Sequence, residues 1–324
     1  MLDRFGRSID YMRVSITDRC NLRCRYCMPQ GVTCPESHDD ILRYEEILRI
    51  CRAALALGIA KFKITGGEPL VRKGCVDLIA ELKALPGTEQ VTLTTNGLLL
   101  QEKLDSLCAA GLDAVNISLD TLDTEKFRAI TGYSEFSAAA LRALLENCCT
   151  RGLRTKLNAV LLEENRDEVA DLAALAEDFP VDVRFIELMP IGFGGSLTRV
   201  SPDEVLDTLR ARWPDLHPTE EKRGNGPAHY YASERLQGRI GLIDAVSHAF
   251  CAGCNRVRLT STGQLKPCLS FDSTADLRAL LRAGCTDEEL KSALEQAIYR
   301  KPRAHSFERR EEMTERRTMS QIGG

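Results

Sequence analysis

From residue 11 to about residue 189 the chain alternates short apolar, β-branched runs with amphipathic stretches, and this alternation restricts its fold more than any other feature. The runs at 11–17, 61–65, 90–95, 114–119, 155–161 and 181–188 read as buried strands. The stretches 44–57, 75–85, 101–110, 137–151 and 166–179 carry apolar residues at helical spacing. Three of these helices stop at a glycine that opens the next strand, at Gly58, Gly111 and Gly152, where a positive φ is expected. The segments GIAKFKIT, GLDAVNIS and GLRTKLNAV look like one unit repeated at irregular spacing. Repeated strand–helix units imply a parallel sheet with helices outside. Six strands predict an α/β fold, an incomplete, TIM-like (βα)6 barrel over residues 5–190.

The pattern changes after Met189. Residues 190–200 form a Gly-rich loop, and Ser201-Pro202-Asp203-Glu204 starts a helix with an N-cap, a proline and acids in the first turn. Residues 214–238 read as polar loop, 261–263 as a hairpin turn, and 275–282 and 287–300 as helices. The charged end, 301–324, reads as irregular; its Arg309, Arg310, Arg316 and Arg317 alternate with glutamates, as in a solvated, charge-balanced segment. Residues 191–324 thus form a smaller α+β region.

Several function classes drop out. With 43 Lys+Arg against 47 Asp+Glu, the chain lacks the basic excess of a nucleic-acid-coating protein. It has no apolar run of about 18 residues to span a membrane. Asp3, Asp10 and Asp18 leave no secretory apolar stretch near the start. An odd count of 13 Cys therefore points to a cytoplasmic protein using thiols for metal or redox chemistry, not to a disulfide framework.

Cys20, Cys24 and Cys27 follow directly on the first strand. Three thiolates can hold three irons of a 4Fe-4S cube and leave the fourth open to a small chelator. Structural zinc, with Cys34 or His38 as fourth ligand, is the alternative. Cys251, Cys254 and Cys268 form a second triad, for which zinc with His248 or Cys285 is again an alternative. Beside it, Arg256 and Arg258 would share one face of a strand. Paired guanidiniums suit a polyanion, and a solvated strand edge is the other reading. Gly66-Gly67-Glu68-Pro69 lets backbone approach a ligand closely. The chain contains no GxxxxGK[ST] phosphate loop.

The CxxxCxxC spacing with Tyr26 before the third cysteine resembles the radical S-adenosylmethionine superfamily. The wider set SITDRCNLRCRYCMP, ITGGEPLVR, LTTNGLLL, NISLDTLD, VRFIELMP, FCAGCNRVRLT and a terminal Gly-Gly resembles the GTP 3',8-cyclase family of molybdenum cofactor biosynthesis, nearly end to end. That resemblance implies two 4Fe-4S clusters, on Cys20, Cys24 and Cys27 and on Cys251, Cys254 and Cys268. It implies S-adenosylmethionine bound by Tyr26, Gly67, Ser118 and Met189. It implies GTP contacts from Arg13, Lys63, Thr94, Lys156, Arg256, Val257 (through its backbone) and Arg258. Lys63 stands where the family often has arginine, so charge is kept and bidentate phosphate contact is not. Arg184 is a further candidate beside the substrate, and Gly323 and Gly324 are expected to enter the site next to the arginines and take part in catalysis. The implied reaction uses a 5'-deoxyadenosyl radical to take the ribose C3' hydrogen of GTP, after which C3' bonds to C8. Implied partners are a flavodoxin- or ferredoxin-type electron donor, a cyclic pyranopterin monophosphate synthase that takes the product, and a second copy in a homodimer; no nucleic acid and no membrane partner is implied. Two competing readings are another S-adenosylmethionine radical enzyme, such as a peptide modifier, and a non-catalytic metal-binding module. Cys51, Cys75, Cys108, Cys148 and Cys149 read as packing thiols.

Overall fold

The computed structural model describes residues 1–31 and 35–323; Cys34 and Gly324 lie outside them. Six parallel strands form where the sequence predicts them: β1 (Tyr11–Ser15), β2 (Lys61–Thr65), β3 (Gln90–Thr95), β4 (Ala114–Ser118), β5 (Arg154–Val160) and β6 (Asp182–Ile186). Helices α1 (Tyr44–Ala56), α2 (Cys75–Ala84), α3 (Leu100–Ala109), α4 (Thr124–Thr131), α5 (Ala138–Thr150) and α6 (Val169–Asp178) connect them. Gly58, Gly111 and Gly152 do adopt positive φ, at 82°, 80° and 67°.

Residue parity decides what each strand shows to either side. On β1 to β3, Met12, Val14, Phe62, Ile64, Val91 and Leu93 turn outward and are buried in the main core, with the helices on their outer side. Each such side chain contributes about 1.5–3 kcal/mol. The alternate residues turn inward, and they are polar or charged. Arg13, Lys63, Thr92, Asn116, Lys156 and Arg184 line one cavity inside the strand array. Runs that read as wholly apolar are therefore two-faced, with a hydrophobic outer face and a polar bore.

The chain after 190 extends the same sheet. Helix α7 (Pro202–Arg212) precedes a hairpin of β7 (His217–Thr219) and β8 (His229–Ala232), in the stretch expected to be loop. Both strands are short and lie at the sheet's edge, so they carry no apolar period that the sequence could reveal. Strand β9 (Ile240–Ile243) pairs in parallel with β6, and β10 (Arg256–Leu259) pairs in parallel with β1. The expected turn joins β10 to β11 (Gln264–Lys266), followed by β12 (Ala275–Asp276), α8 (Leu277–Arg282), α9 (Asp287–Tyr299) and a final turn of helix, α10 (Met319–Ile322). The order is β12-β11-β10-β1-β2-β3-β4-β5-β6-β9-β8-β7. The six expected strands are thus flanked on each side by one more parallel strand, and the sheet runs unbroken across residue 190.

Helix α4 is not expected from the sequence. It is only eight residues long, too short to display a period, and rests on its ends: the Asp123 side chain accepts from Lys126 N, and Gly132 closes it at φ 72°. The end of the chain is irregular as expected, and Arg309, Arg310, Glu311, Glu312 and Arg316 are exposed as expected, but apolar residues anchor it. Phe307, Met313 and Ile322 form a small second core with Ile191 and Val246. Glu315 is buried and ion-paired with the fully buried Lys266. Among the described residues no helix is long and apolar enough to cross a membrane.

Candidate functional site

The bore holds two adjoining cavities. The lower, of about 200 Å³, is lined by Arg13, Lys63, Lys156, Arg184, Arg256 and Arg258. Register brings these cations together: Arg13 stands beside Lys63 on one side and Arg258 on the other. Burial pulls Lys63 well below the usual lysine range, and Arg184, Arg13, Lys156 and Arg256 push it further. Burial and neighbouring cations lower Arg258 well below its ordinary value and lower Arg13 as well. The carboxylate of Asp182, beside Lys156 in register, is already engaged: it accepts from Lys156 at 2.8 Å and from Arg223 at 2.8 Å. Lys156 also donates to Tyr230 Oη at 2.9 Å and to the Arg223 carbonyl. Desolvating one such ion costs several kcal/mol, so a cavity walled by this many cations is built for a multiply charged anion.

A segment from the β7–β8 hairpin closes this cavity from below. Gly224, Asn225, Gly226 and Pro227 line it, and Asn225 Nδ2 donates to Gln90 Oε1 at the start of β3. Arg256 lies over the rings of Phe250 (5.4 Å) and Tyr11 (5.9 Å), which hold the guanidinium across the opening.

The upper cavity, of about 240 Å³, opens at the carboxyl ends of the strands and is lined by Cys20, Cys24, Cys27, Tyr26, Gly67 and Ser118, among others. The loop after β2 lies against the cysteine loop with no room to spare. A Cβ on Gly67 would meet the Arg19 carbonyl oxygen at 2.4 Å, and one on Gly66 would meet that of Thr17 at 2.5 Å. Glu68, fully buried, ties this loop to the one after β3 by accepting from Leu70 N, Thr95 Oγ1 and Asn96 N. The Tyr26 hydroxyl donates to Asp120 at 2.8 Å. Burial pushes Asp120 up to about 6, against the pull of the Val160 amide and Tyr26.

The three thiols act on one another. Burial and Cys20 push Cys27 up to about 12; burial, Asp120, Cys27 and Cys20 push Cys24 well above the ordinary thiol range. Cys251, Cys254 and Cys268 lie together on the wall of the lower cavity. There Cys254 is lowered: burial raises it, but Lys301 and Arg256 outweigh burial. The chain's end sits at the boundary between the cavities. Met319 lines the upper one, and Arg258 Nη1 donates to the Gly323 carbonyl at 2.9 Å. Gly323 has φ 77°, and a Cβ there would fall 2.7 Å from that of Ser15.

Residues 14–176 match the Radical SAM superfamily, and residues 181–307 match the Molybdenum Cofactor Synthesis C family. Over their full lengths the chain is 42% identical to a GTP 3',8-cyclase of Clostridium perfringens and 44% identical to one of Moorella thermoacetica. The chain belongs to the GTP 3',8-cyclase family. Among solved structures, Streptococcus suis SuiB bound to S-adenosylmethionine shares the fold, with a TM-score of 0.62 at 16% identity over 90% of this chain and 67% of that one. A histidine-tagged anSMEcpe with bound AdoMet aligns at a TM-score of 0.50 and 19% identity over 63% of this chain and 59% of that one.

Membership of the Radical SAM superfamily brings S-adenosylmethionine and one 4Fe-4S cluster, and the upper cavity fits both. Its three thiols share one wall, facing glycine backbone that no side chain could replace. Among the described residues no three His, Cys, Asp or Glu side chains converge on a single metal ion, whereas a cube spreads its thiolate ligands more widely than one ion does.

For a GTP 3',8-cyclase, the residues expected on sequence grounds divide between the cavities. Arg13, Lys63, Lys156, Arg184, Arg256 and Arg258 reach the lower one. Tyr26, Gly67, Ser118 and Met189 reach the upper one. Thr94, expected at GTP, lines the upper cavity instead. Position along the strand accounts for this, because Thr94 shares the inward face of Thr92, which lines the lower cavity, but is two residues nearer the carboxyl end. The side chain of Val257 is fully buried in the outer core, opposite its arginine neighbours. Lys156 belongs to the amino half of β5, so not all of the site lies at the carboxyl ends. Sequence reasoning missed Asp120, Asn158, Asp182 and Arg223. Asn158 was findable, since it shares the inward stripe of Lys156; Arg223 was not, since only register brings it to Asp182.

Proposed function

We propose that this chain closes GTP into 3',8-cyclo-7,8-dihydroguanosine 5'-triphosphate, the first step of molybdenum cofactor biosynthesis. The observation that carries the reading is the adjacency of a cation-walled cavity to a cysteine-walled one, with Arg13, Met189 and Arg258 lining both. When bound at Cys20, Cys24 and Cys27, the 4Fe-4S cluster and S-adenosylmethionine supply one electron and a carbon-centred radical that takes the C3' hydrogen of the ribose. On the substrate a C3'–C8 bond then forms, and the purine takes up one electron and one proton.

The chain's own residues do the positioning. Arg13, Lys63, Arg256 and Arg258 hold the triphosphate, with Arg184 beside them and Lys156 able to trade its Arg223 carbonyl for a phosphate oxygen. Tyr26, Gly67, Ser118 and Met189 hold S-adenosylmethionine. Thr94 stands near the ribose, where the two ligands meet. Cys251, Cys254 and Cys268 would hold a second 4Fe-4S cluster, which would supply an iron as a binding site for the purine. Gly323 fixes the Arg258 fork through its carbonyl. A flavodoxin- or ferredoxin-type protein supplies the electron, and a cyclic pyranopterin monophosphate synthase consumes the product.

The test is anaerobic. The reconstituted chain is given dithionite and S-adenosylmethionine, and 5'-deoxyadenosine is quantified with and without GTP. Nucleoside formed in step with a cyclised GTP product is expected. Nucleoside that ignores GTP would remove the substrate assignment and leave the superfamily chemistry standing.

A further inference from the structure

Residues 3–7 form a small closed hook that the proposed reaction does not use. Asp3 is buried and accepts from Phe5 N at 2.9 Å, from Arg7 N at 3.0 Å and from Arg7 Nε at 2.6 Å. Gly6, at φ 77°, makes the turn. The hook delivers one buried guanidinium to a part of the chain far away in sequence. Arg7 Nη1 donates to the Cys251 carbonyl at 2.8 Å and to the Arg303 carbonyl at 2.9 Å, and Nη2 donates to the Pro302 carbonyl at 2.6 Å.

Residues 301–305 are an irregular strap that leads from the end of α9 to Phe307 in the small second core. This strap touches all three segments of the second cysteine triad. The buried Lys301 ammonium donates to the Arg256 carbonyl at 2.9 Å, two residues past Cys254, and to the carbonyl of Pro267, next to Cys268. His305 N donates to Cys251 Sγ at 3.4 Å. Asp10, just beyond the hook, accepts from Asn255 Nδ2 at 2.8 Å, one residue past Cys254. Arg7 bonds to the backbone of the strap and of the Cys251 turn at once.

One guanidinium can do this because its N–H groups fan out in a single plane. Pro302 has no N–H, so the strap cannot pair as a strand, and its carbonyls need donors from elsewhere. Losing such a donor leaves carbonyls bare and the Cys251 turn less firmly held. The hook's bonds lead to the second triad, whereas the first stands on the other cavity. We propose that Arg7 is a positioning residue for the second triad: backed by Asp3, it clamps the strap onto the Cys251 turn and holds Cys251 where it can share a metal cluster with Cys254 and Cys268. This rests on the proposed function for the identity of that cluster. It makes the amino-terminal hook part of the second site and not of the first.

The test compares the reconstituted full chain as wild type, Arg7→Met and Arg7→Lys. Iron per chain is counted, and 5'-deoxyadenosine formation reports the first cluster. Mass spectrometry follows iodoacetamide alkylation of each cysteine before iron is added. Wild type is expected at about eight irons. Arg7→Met is expected near about four, with 5'-deoxyadenosine formation retained. Its Cys251 is expected to be alkylated at least about tenfold faster than in wild type, the loss of one charge-assisted bond, while Cys20, Cys24 and Cys27 keep their rates. Arg7→Lys falls between the two, since an ammonium keeps the charge and cannot fork to three carbonyls. An Arg7→Met chain that keeps wild-type iron and wild-type Cys251 alkylation overturns the assignment. So does a parallel fall of both clusters in Arg7→Met and Arg7→Lys alike, which would make Arg7 a support of the whole fold. A wild type near about four irons would sink the second cluster of the proposed function, and Cys251 alkylation would still decide for or against Arg7.

Discussion

A single methyl group at residue 67 is enough to test how the upper cavity is built. The Arg19 carbonyl lies 2.4 Å from where that carbon would go, and it belongs to a backbone that cannot step aside without moving Cys20. Gly67→Ala is therefore expected to fold, to retain GTP binding, and to lose S-adenosylmethionine cleavage by at least about a hundredfold; 5'-deoxyadenosine formation checks it. At Arg258 the planar fork matters as well as the charge, because one Nη already holds Gly323. Arg258→Lys should weaken GTP binding by about tenfold and Arg258→Ala by more, each costing about 1.5–3 kcal/mol or above; equilibrium dialysis with GTP reads the difference. Such residues were legible because their spacing is local: three cysteines within eight positions, two glycines in a row, two arginines on one strand face. Asp182 was not, because its partners Lys156 and Arg223 are brought to it only by the fold, from positions distant in sequence.

Elements are tied to each other by side chains that the sequence shows but does not pair. Glu46, in the first turn of α1, accepts from Arg43 N at 2.7 Å and from Arg282 Nε of α8 at 3.1 Å. Burial raises its carboxyl, but Arg282 and the Arg43 amide outweigh burial and hold it below the ordinary glutamate value. Its contribution is therefore complete above about pH 4.3 and is lost as pH falls through the lower folded value. Glu46→Gln should cost about 1–3 kcal/mol near neutral pH, and the gap from wild type should narrow under acid; urea unfolding at several pH values measures both. At this scale the long helices and the six inner strands were readable from their periods. Helix α4 and the β7–β8 hairpin were not, since eight residues or fewer leave a period nothing to repeat over.

The whole molecule is one sheet whose bore is assembled from both ends of the chain. The cysteine triads stand on different cavities and report separately. With both clusters loaded, iron is expected at about eight per chain; Cys251→Ala, Cys254→Ala and Cys268→Ala together should bring it to about four while 5'-deoxyadenosine formation survives and cyclisation stops. Iron that stays near eight would show that the second triad is not a cluster site. The number of parallel strands escaped the sequence reading for a related reason: β9 and β10 carry no helix that marks them as repeats, and only pairing with β6 and β1 makes them part of the array.

Strand β1 also has a history in the making of the protein. Its partner on one side, β2, follows soon after, but β10 on the other side comes far later; Asp10 and Asn255, which bond across this seam, are 245 residues apart. At a ribosomal rate of about 5–20 residues per second, one edge of β1 waits roughly 12–50 seconds for its neighbour. Throughout that interval the growing chain presents Arg13 on a bare strand margin, the kind of margin that invites foreign strands, and its charge deters them.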